Sequence, residues 1–113
     1  MKNETLVSDL VENLKPANPY KIVLFGSCAR DEMTADSDID LMVVLDNDDV
    51  AKTYEERAQK ELAVCKLVRD INYKVALDIL VYSKKELSIL KDYGNFFIEE
   101  VEKTGKVIYE KGN

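Results

Sequence analysis

The run IDLMVVL, residues 39–45, is the feature of the sequence that most constrains the fold. Apart from one aspartate it is continuously apolar, and it is rich in the β-branched residues that favour strands. A strand with one face in water alternates polar and apolar residues, whereas an unbroken apolar run is typical of a strand covered on both faces. We therefore expect Ile39–Leu45 to form a central strand with structure packed on both sides of its sheet.

The rest of the chain supplies the helices and strands that such a core requires. Leu6, Leu10, Val11 and Leu14 share one helical stripe, which predicts a helix at Thr5–Leu14. The other expected elements are a strand at Lys21–Phe25, one long helix over residues 46–70, a strand at Val75–Tyr82, a short helix with a Ser83/Glu86 capping box that runs through Leu90, a helix at Asn95–Thr104 with Gly105 as a left-handed cap, and a strand at Lys106–Glu110. This order predicts an α/β (α+β) fold, with helices packed on a small mixed β-sheet.

Length and composition limit the possible functions. A chain of 113 residues with 46% hydrophobic residues is expected to form one domain, residues 1–113. No apolar run is long enough to span a membrane and the polar start lacks a signal-peptide core, so we expect a cytoplasmic protein without a membrane partner. Histidine is absent, which excludes histidine bases and imidazole ligands. The formal net charge of −6 disfavours direct binding to nucleic acid.

Three aspartates in or beside the apolar strands require an explanation. Asp38 and Asp40 are two residues apart and therefore point to the same face of a strand, while Asp78 interrupts the apolar run ALDILVY and is expected to be buried. If the two strands are neighbours, the three carboxylates converge, and each like-charge pair costs on the order of 1 kcal/mol even in water. Mg²⁺ prefers oxygen ligands of this kind together with substrate phosphates. These aspartates are therefore candidate ligands of a divalent metal.

The same aspartates have two other interpretations. In the first, they form only buried salt bridges with basic residues, the candidates being Lys21, Arg30, Arg69 and Lys74. In the second, Asp36, Asp38 and Asp40 are the first ligands of an EF-hand calcium loop. That loop would place Leu41 where glycine is required and Asn47 where glutamate is required, so it is rejected. The salt-bridge interpretation remains open from the sequence.

A Gly-Ser pair follows the first predicted strand and precedes CARDEM, residues 28–33, which can form a helical turn with Ser27 as its N-cap. Backbone N–H groups at such a junction bind anions, and Gly26 would allow a phosphate to approach the backbone closely. The Ser27 hydroxyl and the Arg30 guanidinium are candidates for further phosphate contacts. A Gly-Ser pair alone is most often just a turn, and no P-loop pattern occurs in the chain. Its short distance from the aspartate pair favours a phosphate site.

The segment GSCARDEMTADSDID, residues 26–40, resembles the signature of the polymerase β-like nucleotidyltransferases, in which ten residues separate Gly-Ser from Asp-X-Asp. The ending FIEEVEKTGKVIYE is similar to that of the small MntA-type members, the antitoxins of HEPN/MNT toxin–antitoxin pairs. This resemblance implies a nucleotidyltransferase core with two Mg²⁺ ions, ATP or another triphosphate as donor, and pyrophosphate as the leaving group. Asp31 departs from the pattern, because many relatives have glycine after the motif arginine.

The resemblance also implies roles for individual residues and a partner. By position, the nucleotide contacts fall on Gly26, Ser27 and Arg30, and the catalytic metal ligands on Asp38, Asp40 and Asp78. Asp78 is implied to act also as the base. The implied partner is a HEPN ribonuclease toxin in a hetero-oligomer, and the implied reaction is transfer of AMP to one of its tyrosine hydroxyls. The alternatives are an antitoxin that acts only by binding its partner, and a nucleotidyltransferase with a small-molecule acceptor.

Overall fold

A computed structural model describes residues 3–26 and 39–112, which form a mixed sheet with helices on both faces. The predicted helical turn at 28–33 and the candidate residues Ser27, Arg30 and Asp38 lie outside the described residues. In chain order the elements are α1 (Asn3–Leu14), a short 3-10 turn (Lys15–Ala17), β1 (Pro19–Phe25), β2 (Ile39–Leu45), α2 (Tyr54–Leu67), α3 (Arg69–Lys74), β3 (Leu77–Ser83), α4 (Lys84–Asp92), α5 (Phe96–Thr104) and β4 (Lys106–Glu110).

The four strands have the order β3-β2-β1-β4. β2 pairs with β1 in antiparallel and with β3 in parallel orientation, and β1 pairs with β4 in antiparallel orientation. The expected central strand Ile39–Leu45 is confirmed as β2, with the bounds read from the sequence. The predicted fold class, helices packed on a small mixed sheet, is also confirmed. No helix in residues 3–26 and 39–112 is both long and apolar enough to span a membrane.

Alternate residues of β2 contribute to two separate hydrophobic clusters, one on each face of the sheet. Leu41 and Val43 belong to the cluster under α1 and α2, whereas Met42 and Val44 belong to the cluster under α4 and α5. The helices contribute Leu6, Leu10, Leu14 and Val64 to the first cluster, which also includes Val68 between α2 and α3, and they contribute Leu87, Ile98 and Val101 to the second. Because both faces are covered, every residue of β2 except Asp40 can be apolar and buried.

The single long helix expected over residues 46–70 is wrong, because the structure has two helices in this region. α2 begins only at Tyr54, where Thr53 and Glu56 form a capping box, and the backbone at Val68 (φ −115°, ψ 20°) separates α2 from α3. The acidic segment before α2 binds the junction between β3 and α4 instead of forming helix. Its Ala51 N–H donates to Glu86 Oε2 at 3.0 Å, and the Asp49 carbonyl accepts from the Ser83 hydroxyl.

The end of the chain differs from expectation at one glycine. The predicted capping box of α4 is confirmed, and α5 with its Asn95 N-cap and the strand β4 also form as expected. Gly105, however, is extended (φ −73°, ψ 161°), so the predicted left-handed cap is wrong. Glycine fits here because a β-carbon would overlap the Val101 carbonyl oxygen and lie 2.7 Å from Val23 Cγ1. The close approach of α5 to β1 explains this glycine.

Glu86 is a nearly buried carboxylate that joins α2 to the junction of β3 and α4. Its Oε1 accepts from Lys60 Nζ at 2.7 Å and from the Ser83 N–H at 2.8 Å, and Arg57 lies 3.6 Å from Oε2. Burial raises the pKa of Glu86, but hydrogen bonds from Lys60 and from two backbone N–H groups lower it, and the net pKa lies below its ordinary value. The charged form of Glu86 therefore stabilises this end of the sheet.

Candidate active site

Asp40 and Asp78 lie side by side across the parallel strands β2 and β3. The register of the two strands makes them Cα partners, with Ile39 opposite Leu77 and Leu41 opposite Ile79 on either side. Cα partners on neighbouring strands are roughly 5 Å apart and direct their side chains to the same face of the sheet. The expected proximity of these two aspartates is therefore present, although they are far apart in the sequence.

Phe25 extends this row of side chains onto a third strand. It is the Cα partner of Asp40 across the antiparallel pair of β1 and β2, so its side chain lies on the same face. Its ring packs against the cluster formed by Met42, Val44 and the helices α4 and α5. Sequence reasoning did not single out Phe25, because an apolar residue at a strand end is expected to be ordinary core. Phe25, Asp40 and Asp78 thus form a row across β1, β2 and β3, which we call the acidic row.

Gly26, directly after β1, is in contact with the acidic row. Its φ of +72° lies in the left-handed region, which glycine adopts without steric cost. A β-carbon on this residue would overlap Asp40 Oδ2 and lie 3.3 Å from Asp40 Cγ. The Asp40 carboxylate therefore occupies the space that a side chain would fill. The Gly26 of the Gly-Ser motif and the second aspartate of the Asp-X-Asp motif are brought together directly.

The two aspartates differ in exposure. Asp40 is half-buried on the inner strand β2, whereas Asp78 is exposed to solvent. The expectation that Asp78 is buried is therefore wrong. β3 is an edge strand of the sheet, and α4 begins directly after its other end, so the start of β3 has less cover than the start of β2. An exposed carboxylate beside a half-buried one leaves the acidic row accessible from solvent.

Asp78 forms no salt bridge with the three candidate basic residues that the structure describes, whereas the fourth candidate, Arg30, lies outside the described residues. No described ion pair joins Asp78 to Lys21, Arg69 or Lys74, and the described ion pairs lie elsewhere in the molecule. Lys84, for example, pairs with Asp46 at 2.9 Å, at the opposite end of the sheet. Carboxylate oxygens are suitable ligands for a hard divalent cation, so the residues present fit Mg²⁺. The structure describes two carboxylates at this position, those of Asp40 and Asp78. Asp38, which would supply a third, lies outside the described residues. Among the described residues there is no cluster of three candidate metal ligands.

Phe25, the apolar member of the acidic row, forms an aromatic pair with Phe97. The rings of Phe25 and Phe97 are 5.6 Å apart between centroids with an interplanar angle of 84°, an edge-to-face arrangement. Phe97 belongs to the first turn of α5 and is 47% exposed. The sequence has two adjacent phenylalanines at the start of FFIEEV, and no local pattern distinguishes them. The packing of α5 on β1 shows that Phe97 is the one in contact with Phe25.

The fold agrees with comparisons to solved structures. A "toxin-antitoxin with AMP-PNP" has 18% sequence identity and a TM-score of 0.61, over 93% of this chain and 73% of that chain. A candidate nucleotidyltransferase from Sulfolobus solfataricus has 21% identity and a TM-score of 0.61, over 95% and 79% of the two chains. A mutant of the toxin–antitoxin pair MntA-HpeT has 16% identity and a TM-score of 0.53, over 98% and 75%. At these identities the likeness shows a shared fold.

The family assignment comes from the sequence itself. No curated protein matches the chain significantly. The family model described as "Polymerase beta, Nucleotidyltransferase" matches residues 8–113, which is nearly the whole chain and includes Gly26, Asp40 and Asp78. The match, the mixed sheet and the acidic row lead to one assignment. The chain belongs to the polymerase beta nucleotidyltransferase family.

Proposed function

We propose that this protein is a Mg²⁺-dependent nucleotidyltransferase that transfers AMP from ATP to a hydroxyl group of a partner protein. The observation that carries the proposal is the position of the Asp40 carboxylate, which lies against Gly26 on one side and beside Asp78 on the other. The proposed phosphate contact Gly26 and the proposed metal ligands Asp40 and Asp78 are therefore close together. We further propose that residues 1–113 act as one domain, with this area as its active site.

The proposed roles follow from the chemistry of each residue. Asp40 and Asp78 supply oxygen ligands for divalent metal, and Asp38, two residues before Asp40, is proposed as the third. Gly26 lets the backbone and the Asp40 carboxylate lie close together. Ser27 and Arg30 are proposed as donors to the triphosphate, on the strength of the sequence motif alone.

The reaction is an in-line displacement at the α-phosphorus of the nucleotide. The acceptor oxygen forms a new bond to the α-phosphorus while the bond to the β-phosphate oxygen breaks, and pyrophosphate leaves with the electron pair. The proton of the acceptor hydroxyl passes to Asp78, whose exposed carboxylate can release it to solvent. Bound Mg²⁺ supplies stabilisation of the charge on the attacking and leaving oxygens. The absence of histidine is no obstacle, because a carboxylate serves as the base.

The partner is proposed to be a HEPN ribonuclease toxin, modified on a tyrosine. Two structural relatives are toxin–antitoxin assemblies, and one of them was solved with AMP-PNP, an analogue of ATP. The MntA-HpeT mutant carries aspartate-to-glutamate changes two positions apart, which is the spacing of Asp38 and Asp40 here. The net charge of −6 suits docking on a basic, RNA-binding surface. These observations support ATP as the donor and a toxin protein as the partner.

Co-expression with the protein encoded beside it, followed by intact-mass measurement of that partner, tests the proposal. Adenylate-sized increments on the partner that disappear with the Asp38→Asn, Asp40→Asn double mutant are the expected result. An unmodified partner that is neutralised equally well by the double mutant would show instead that the protein acts by binding alone. Localisation of the added mass to a tyrosine by peptide sequencing distinguishes the proposed acceptor from serine or threonine.

A further inference from the structure

We propose that Phe97, supported by Phe25, is a nucleobase-stacking residue of the site. This inference rests on the proposed function, because it takes the triphosphate to be held at Gly26 and the acidic row. It adds a binding residue that lies outside the Gly-Ser and Asp-X-Asp motifs, on a helix that follows them by about half the chain. The ligand recognised is the π-face of a base joined to a triphosphate.

Phe25 belongs both to the aromatic pair and to the acidic row, so it places Phe97 near the two aspartates. It precedes Gly26 in the chain and is the Cα partner of Asp40, so its Cα lies roughly 5 Å from that of Asp40. The Phe97 ring lies a further 5.6 Å from the Phe25 ring, measured between centroids. A nucleotide with its phosphates at Gly26 and Asp40 therefore has an aromatic surface within the reach of its sugar and base.

The start of α5 holds Phe97 in a defined position. Asn95 caps the helix by accepting the Ile98 N–H at 3.0 Å, and Ile98 is fully buried against β1 and β2. Val101, one turn later, is buried in the same cluster. The ring of Phe97 is thus presented by a fixed helix terminus, and binding a base would require little ordering of the protein.

The exposure of Phe97 favours a ligand contact over a purely structural role. A phenylalanine that serves only the core would be buried by its neighbours, whereas Phe97 is 47% exposed while its edge-to-face contact with Phe25 fixes its orientation. Stacking on an aromatic side chain accepts any base, because every base has a π-face. Phe97 should therefore contribute to affinity for purine triphosphates in general and should not distinguish ATP from GTP.

The test compares Mg²⁺-dependent binding of ATP, GTP and inorganic triphosphate by titration calorimetry. Phe97→Ala is expected to raise the Kd for ATP and GTP alike by roughly 5- to 100-fold, and to leave the Kd for inorganic triphosphate unchanged. Phe97→Trp should retain nucleotide affinity, and Phe97→Leu, which keeps an apolar contact with Phe25 but has no ring, should behave as Phe97→Ala does. Phe96→Ala is the matched control, since Phe96 is the preceding residue of the same helix and is 86% exposed.

The outcomes separate this inference from the proposed function. Unchanged ATP affinity in Phe97→Ala, with a wild-type protein that binds ATP, would overturn the stacking role and leave the proposed function standing. Equal weakening of ATP and inorganic triphosphate would also overturn it, because the substitution would then act on the phosphate and metal half of the site. A wild-type protein that binds neither nucleotide nor inorganic triphosphate would contradict both proposals.

Discussion

Asp40 and Asp78 are register partners across the parallel strands β2 and β3, so their carboxylates share one face of the sheet. Asp40 also lies against Gly26, where a β-carbon would overlap its Oδ2. Two negative groups at neighbouring positions repel each other, with an energy on the order of 1 kcal/mol at short range in water. The arrangement is therefore suited to a bound cation, and it makes the following predictions about function and stability.

Asp78→Asn should abolish nucleotide transfer without lowering the stability of the fold. Asp78 is exposed and joins no described ion pair, so the substitution should remove the proposed metal ligand and base without breaking a described salt bridge. Removal of one like charge beside Asp40 should leave the metal-free protein equally stable or slightly more stable. Transfer assays and thermal unfolding of the same samples measure both effects. The control is Asp92→Asn, an exposed aspartate at the end of α4 that should leave transfer unchanged; loss of transfer in both variants would contradict a specific role for Asp78.

Gly26→Ala should strongly reduce Mg²⁺-dependent nucleotide binding. The new β-carbon would displace the Asp40 carboxylate, and the residue would be strained in its left-handed conformation by roughly 1–2 kcal/mol. Titration of Mg²⁺ and ATP into the variant measures the loss.

Gly94→Ala is a close control for this substitution. Gly94 has the same φ of +72°, but a β-carbon there would meet nothing within 4 Å. Both variants should therefore lose similar stability, and only Gly26→Ala should lose nucleotide binding. Equal losses of binding in the two variants would show that backbone strain, not displacement of Asp40, is responsible.

Ser27→Ala should weaken triphosphate binding less than Asp38→Asn impairs transfer. One neutral hydrogen bond contributes about 0.5–1.5 kcal/mol, which corresponds to roughly tenfold or less in Kd. Removing a charged metal ligand should instead eliminate the metal-dependent reaction. Calorimetry with nucleotide and Mg²⁺ measures the first variant, and single-turnover transfer the second. Undiminished transfer by Asp38→Asn would refute its assignment as a ligand.

Glu86→Gln should destabilise the fold by roughly 1–3 kcal/mol at neutral pH, because several donors lose a charged acceptor. The folded-state pKa of Glu86 is below its ordinary value of 4.5, so the folded state binds fewer protons than the unfolded state. Its stabilisation is complete above pH 4.5 and is lost as the pH falls through the lower folded-state pKa. Urea unfolding measures the free energy of unfolding of wild type and Glu86→Gln, and the difference between the two should shrink as the pH falls below 4.5.

Glu61→Gln is the control for this prediction. Glu61 pairs with Arg57 at 3.3 Å, but its side chain is 38% exposed, and such surface pairs contribute little. Glu61→Gln should therefore change the free energy of unfolding by about 1 kcal/mol or less. A pH-independent difference between wild type and Glu86→Gln would contradict the assignment of the stabilisation to the ionised carboxylate.

The central strand and the pairing of the aspartates could be predicted because each has a local signal. The unbroken apolar run at Ile39–Leu45 requires cover on both faces, and the Ser83/Glu86 capping box specifies the start of α4. An aspartate in the apolar strand β3 has no local structural purpose, so its position beside Asp40 could be anticipated. The strand and the helix start depend on patterns within a few residues of each other, whereas the pairing of the aspartates also required that β2 and β3 be neighbours.

Other features depend on contacts between distant segments and could not be predicted. The start of α2 at Tyr54 reflects hydrogen bonds between residues 49–51 and the start of α4, which compete with helix formation. The extended conformation of Gly105 reflects the distance between α5 and β1. The exposure of Asp78 follows from the edge position of β3, and the contact between Phe25 and Phe97 from the packing of α5. Periodicity and capping motifs contain no information about contacts between segments that are far apart in the sequence.

The position of the label after reaction with ATP tests the proposed transfer. The purified protein and its partner are incubated with Mg²⁺ and ATP labelled either on the α-phosphate or on the γ-phosphate, with Asp40→Asn in parallel. Nucleotidyl transfer predicts that the partner gains label only from α-labelled ATP, that pyrophosphate is released, and that Asp40→Asn gives no labelling. Labelling from γ-labelled ATP, or equal labelling by Asp40→Asn, would contradict transfer of AMP by the acidic row.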